Sequence, residues 1–298
     1  MTARRWLGAG LILLGVGIGA NSLLGPLVTE VIDYRVTTLP LNQTIGLDAV
    51  SLIVVVPLAL AAAVLILRGH PAGPVLGLGP AVYAAYMFTQ YVLGPDYVSL
   101  PGNNELFFPL HLALFVLGWA TAIGAWCAIA VDRLPGTRRF HRRGTALLFV
   151  LAGFLAVRWL PALLDATSGE PSGADYLEGP SFFWTIALLD LGVALPVALA
   201  AGIGLLRGHG WARKALYGVV SWFGLVGAAV AAMNVTYQVN DDPNASVGML
   251  VAFTVLALVF AAIAVLLYRP LFRRREPQDV AGERMSKPTA TSREKVTV

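Results

Sequence analysis

The chain has 298 residues, of which 57% are hydrophobic and 13% charged, with a formal net charge of +4; its mean hydropathy is +0.72. A soluble globular chain carries about 25% charged residues, so this composition excludes one, and the charges fall in short intervals between long apolar runs, as in a multi-pass membrane protein. The basic excess sits at the ends of those runs, where topology and anionic lipid account for it, so no nucleic-acid partner is expected.

Eight runs reach the roughly 20 apolar residues that a membrane span needs: 6–24, 48–67, 74–94, 106–131, 144–164, 181–206, 215–238 and 246–268. The first, behind Arg4 and Arg5, is similar to a signal peptide, but its match to a later segment makes it a retained first helix. The third carries Pro74, Pro80 and Gln90, which neighbouring helices can accommodate. The connections at 25–47 and 165–180 are long for a bundle. From Glu276 onward the chain is polar and aperiodic, and reads as a disordered tail.

Lysine and arginine set the orientation. One set of connections carries Arg4, Arg5, Arg68, Arg133, Arg138, Arg139, Arg142, Arg143, Arg207, Arg213, Lys214 and Arg269, while the other carries only Arg35 and is otherwise acidic. Both termini are therefore expected in the cytoplasm and the protein in the plasma membrane.

The chain also repeats itself. Pro57 to His70 reads PLALAAAVLILRGH and Pro196 to His209 reads PVALAAGIGLLRGH, nine identities in fourteen positions at an offset of 139. Arg4-Arg5 before the first span corresponds to Arg142-Arg143 before the fifth. The fold class expected is an all-α integral membrane protein whose eight transmembrane helices form two parallel four-helix repeats, 1–135 and 136–272, followed by a cytoplasmic tail at 273–298. Four spans per unit bring both units into the membrane in the same direction, about a pseudo-two-fold axis along the membrane normal.

No phosphate loop, dinucleotide fingerprint or HExxH motif occurs, and no lysine lies within a span to hold a retinal Schiff base. A single cysteine, Cys127, excludes an internal disulfide and a cysteine-based zinc site. No cofactor, metal or catalytic residue is expected. Ionisable groups in hydrocarbon are costly and mark sites by default, which singles out Arg158, Asp190 and His111. At 1.5 Å per residue Arg158 lies about 21 Å up its span and Asp190 about 13 Å down the next, so in a core of roughly 30 Å the two meet at one depth as an ion pair. Gln90, Asn234 and Trp184 lie in the same outer halves. These six form the candidate ligand-binding set. The function expected is binding or transport of a small molecule or lipid through an outward-facing polar cavity. The alternatives are an outer-face enzyme using Asp190 and His111, and a scaffold or partner subunit without a ligand. Besides the lipid bilayer, homo-oligomer formation is left open, because small-residue runs such as Gly15–Gly19 suit close helix packing.

Overall fold

The computed structural model describes residues 2–272; the expected tail at 273–298 lies outside them. The described residues are helical, with no strand among them. In chain order the long helices are α1 (Thr2–Leu24), α2 (Thr38–Arg68), α3 (Ala72–Leu93), α4 (Phe108–Ala128) and α5 (Arg138–Ala166). A short α6 (Ala174–Glu178) precedes α7 (Pro180–Leu206), α8 (Gly210–Val239) and α9 (Val247–Tyr268).

Seven of these helices, all but α3 and α6, are long and apolar enough to cross a membrane, so the protein is a multi-pass membrane-type helical protein. The expected third span, α3, is 22 residues long but falls short in apolarity because it carries Pro74, Pro80, Tyr83, Tyr86, Gln90 and Tyr91. It is also walled in by protein: Tyr83, Phe88, Gln90 and Tyr91 are all buried. A helix surrounded by other helices need not present an apolar surface to lipid. At the opposite extreme, α9 buries only Phe260 and Tyr268.

The expected second span begins ten residues early. Its helix starts at Thr38, so residues 38–47 are helical rather than loop. Both α2 and α7 contain one widened π-type turn, at Ser51–Val55 and Asp190–Ala194. There the Val56 amide donates to Ser51 O and the Leu195 amide to Asp190 O, five residues back. Pro57 and Pro196 follow directly. A proline ring crowds the carbonyl four residues earlier and has no N–H to offer it; a widened turn relieves the clash without ending the helix. Both helices then stop at a left-handed glycine, Gly69 (φ 74°) and Gly208 (φ 75°). The amides of His70 and His209 return to Leu65 O (2.8 Å) and Gly204 O (2.9 Å), the paired capping that glycine alone permits without strain.

The packing runs α1 on α2, α2 on α3 and α3 on α4 in the first half, and α5 on α7, α7 on α8 and α8 on α9 in the second. Between the halves α3 packs on α8, the outer part of α2 (38–50) on α8, and the start of α7 (180–189) on α3. The α2–α8 seam is backbone-close: a β-carbon at Gly46 would lie 2.5 Å from the Met233 amide nitrogen. In the first half α1 also packs along α4, but α5 and α9 make no comparable contact.

Polar groups close both ends. At the end bearing the α1 start, the Arg4 guanidinium donates to the terminal carbonyls of α2, Ile66 O and Leu67 O, and Lys214 donates to Trp126 O at 2.8 Å. Cations are favoured at such helix C-termini. At the other end, Asn42 donates to Asp242 (2.7 Å) and accepts from Asn240 (2.6 Å), while Glu178 accepts from the Leu39 amide (3.1 Å) and Asn244 (3.2 Å).

Candidate functional site

A cavity of about 490 Å³ lies between the two sets of helices, at the end bearing Asp242 and Glu178. Its walls come from α3 (Tyr86, Gln90), α5 (Arg158, Trp159), α7 (Phe183, Asp190), α8 (Trp222, Asn234) and α9 (Phe253, Phe260). Gly173, Asp175 and Asn244 line its mouth. The short α6 is tied across it, with Gln43 donating to Asp175 at 3.1 Å and Asp165 accepting from Ser172 and from the Gly173 amide, the latter at 2.8 Å.

Four of the six expected residues, Arg158, Asp190, Gln90 and Asn234, line this one cavity. Asp190, only 6% exposed, is held by neutral donors: Tyr86 Oη–H at 2.7 Å and Trp159 Nε1–H at 2.8 Å. The expected Arg158–Asp190 ion pair is not formed. Among the described residues the one ion pair within 4.0 Å is Arg35–Glu105, at 2.6 Å. Arg158 and Asp190 stand at about one level of their neighbouring helices, as the Trp159–Asp190 bond shows, but level does not fix direction around a helix. Successive residues point about 100° apart, so Trp159 turns in toward Asp190 while Arg158 is exposed at the cavity rim, its guanidinium carbon 4.8 Å from the Trp159 ring centroid. Asn234 is buried and donates to Val230 O on its own helix (2.9 Å); Gln90, also buried, contacts Met87 Sδ at 3.8 Å.

The other two lie elsewhere. Trp184 is 44% exposed and packs against Phe183 and Tyr176 on the outer face of α7. His111 is fully buried in the first half, where Nε2 shares a hydrogen with Asn21 Oδ1 at 3.0 Å and the ring lies among Tyr34, Phe88 and Tyr91. It does not line the cavity that holds Asp190.

His111 belongs to a second polar cluster that the sequence did not disclose. Asp48, 1% exposed, accepts from Ser22 Oγ and Tyr91 Oη, both at 3.0 Å, and its second carboxylate oxygen is buried with no hydrogen-bond partner among the described residues. Asp48 is the first residue of the expected span 48–67. The early start of α2 carries it ten residues inside. The connection 25–37 seals this cluster rather than the cavity, with Tyr34 tilted against Tyr91 at 5.2 Å between centroids.

A larger crevice of about 1250 Å³ opens at the opposite end, between α1 and α4. Its polar side chains act as helix caps: Arg4 on the α2 carbonyls, and His70 Nδ1 accepting from the Ala72 amide at 3.2 Å. Thr121, Cys127 and Arg133 also line it, and its remaining walls are apolar, with Trp6 76% exposed.

Comparison with protein-family models, with curated protein sequences and with solved structures finds no match to this chain.

Proposed function

We propose that the chain is an eight-span integral protein of the plasma membrane, built from two parallel four-helix units (1–135 and 136–272), which binds or transports a small molecule or lipid through the outward-facing cavity between them. The observation that carries the reading is that cavity: four polar residues from four helices line one mostly apolar chamber rich in aromatic rings, the form of a ligand pocket rather than of helix packing. For the eighth span, α3 has 22 residues, about 33 Å at 1.5 Å each. For the repeat, the two π-type turns and the two left-handed caps recur at the same separation of 139 positions. The halves also follow one packing order, and the equivalent helices α3 and α8 meet at the centre, each touching the second helix of the other unit. For the orientation, the arginine-rich ends gather where Arg4 and Lys214 cap helices, and the cavity is at the other end.

The test is native mass spectrometry of protein released from nanodiscs. A bound small molecule or lipid on the wild type should be lost from Val230→Trp, which sets an indole into the cavity wall, with the melting temperature retained. A wild type that carries no cavity-dependent adduct supports the scaffold reading instead. An enzyme using Asp190 with His111 is disfavoured because His111 is sealed in the other cluster.

A further inference from the structure

Asp190 is a buried carboxylate that no cation among the described residues contacts directly. Its two hydrogen bonds come from a phenol and an indole, and among the described residues no cation lies within 4.0 Å of it, Arg158 acting on it only from farther away. Buried charges are normally paired. An ionised carboxylate offers about four acceptor positions, so half of its capacity stays open. Around it stand aromatic faces: Trp159 edge-on to Phe183 (5.3 Å between centroids) and Tyr86 edge-on to Trp222 (5.1 Å). The other charges lining the cavity are Asp165, Asp175 and Arg158, so the lining has three acidic groups to one basic. The basic one is exposed at the rim rather than beside the carboxylate.

We propose that the occupant is a lipophilic organic cation, an amine or quaternary ammonium on an apolar body, with Asp190 as its counter-ion and the surrounding rings as its cage. This rests on the ligand-cavity reading above. A carboxylate supplies the missing charge balance, and aromatic faces attract cations most strongly where water is excluded. Between α5 and α9 the backbones stay apart and Phe154 meets Phe260 edge-on (6.1 Å between centroids), so the apolar body would enter from the bilayer by parting those two rings. The mouth near Asp175 gives a way in from solution.

The experiment uses two ions of one shape and opposite charge, tetraphenylphosphonium and tetraphenylborate, with neutral triphenylphosphine oxide, on the full chain in phosphatidylcholine nanodiscs corrected for empty discs. Tetraphenylphosphonium should bind saturably and tetraphenylborate should not. Asp190→Asn should weaken the phosphonium at least tenfold, while Arg158→Gln leaves it unchanged or tightens it. Hexadecyltrimethylammonium competing where benzyltrimethylammonium does not would place the source in the bilayer; competition by both would place it in solution. Saturable tetraphenylborate binding that is lost in Arg158→Gln overturns the charge assignment and leaves the cavity reading intact. So does triphenylphosphine oxide binding as well as the phosphonium. If none of the three binds, the cavity reading fails with it. The oppositely charged probes answer on the wild type alone, whatever the folding of the variants.

Discussion

Replacing Asp190 by leucine would leave the Trp159 indole and the Tyr86 hydroxyl without their acceptor, at about 1–3 kcal/mol for each stranded donor. Asn keeps one acceptor, so Asp190→Asn should cost about 1 kcal/mol. Arg158 is exposed and unpaired with Asp190, so Arg158→Gln should stay within about 0.5 kcal/mol of wild type. Thermal melting of the four combinations of Asp190→Asn and Arg158→Gln should give additive losses. A double variant that melts above the Asp190→Asn single would revive the ion pair read from the sequence. The residues of the cavity were legible because burying polarity in a span is costly enough to stand out in composition. Their partners were not, because Tyr86 and Trp159 are the residue types expected at a membrane interface anyway. Asp48 was missed for a different reason, being judged by an assumed helix start.

Helix ends and defects in this protein follow from single residues. Gly69 and Gly208 share one backbone conformation, which an L side chain adopts at a cost of about 1–2 kcal/mol. Nothing lies within 4 Å of a β-carbon at Gly208, whereas one at Gly69 would meet the Arg4 guanidinium at 2.5 Å. Both alanine variants should lower the melting temperature, and Gly69→Ala should lower it further. The π-type turn in α7 amounts to one extra residue in an α-helix. Deleting Gly192 should therefore restore a regular helix with the rest of α7 in register, and the protein should still elute as a monodisperse peak from gel filtration. Deleting Ala201, which is buried in regular helix, turns everything beyond it by about 100° and should abolish that peak. Equal loss in both would mean that the widened turn absorbs nothing. The sequence announced the caps through Arg-Gly-His, but not the widened turns, since mid-span prolines such as Pro57 and Pro196 can equally kink a helix.

Across the whole molecule, the proposed topology makes a labelling pattern. In a Cys127→Ser background, cysteines at Val98 and Gly169 should react with an impermeant thiol reagent on intact cells, and cysteines at Asp132 and His209 should not; the reverse pattern would invert the orientation. Val98 is 95% exposed and Gly169 has open space around it. The all-helical, multi-pass character was legible because lipid demands long apolar runs, whereas eight runs were expected to span and seven helices are apolar enough to do so. The asymmetry between the halves was not legible: whether α5 closes on α9 as α1 closes on α4 depends on side-chain shape across a gap, which hydropathy does not encode. The inverse relation between burial and apolarity bears finally on how the chain enters the membrane. The last helix, with a mean hydropathy of 3.0 and almost none of its surface buried, can partition from the insertion machinery into lipid by itself. The third, the most enclosed and the least apolar, has little to gain from lipid alone. Placed singly in a reporter protein, α9 should integrate and α3 should pass through, while α2–α3–α4 together should carry α3 in, so that its biogenesis depends on neighbours made before and after it.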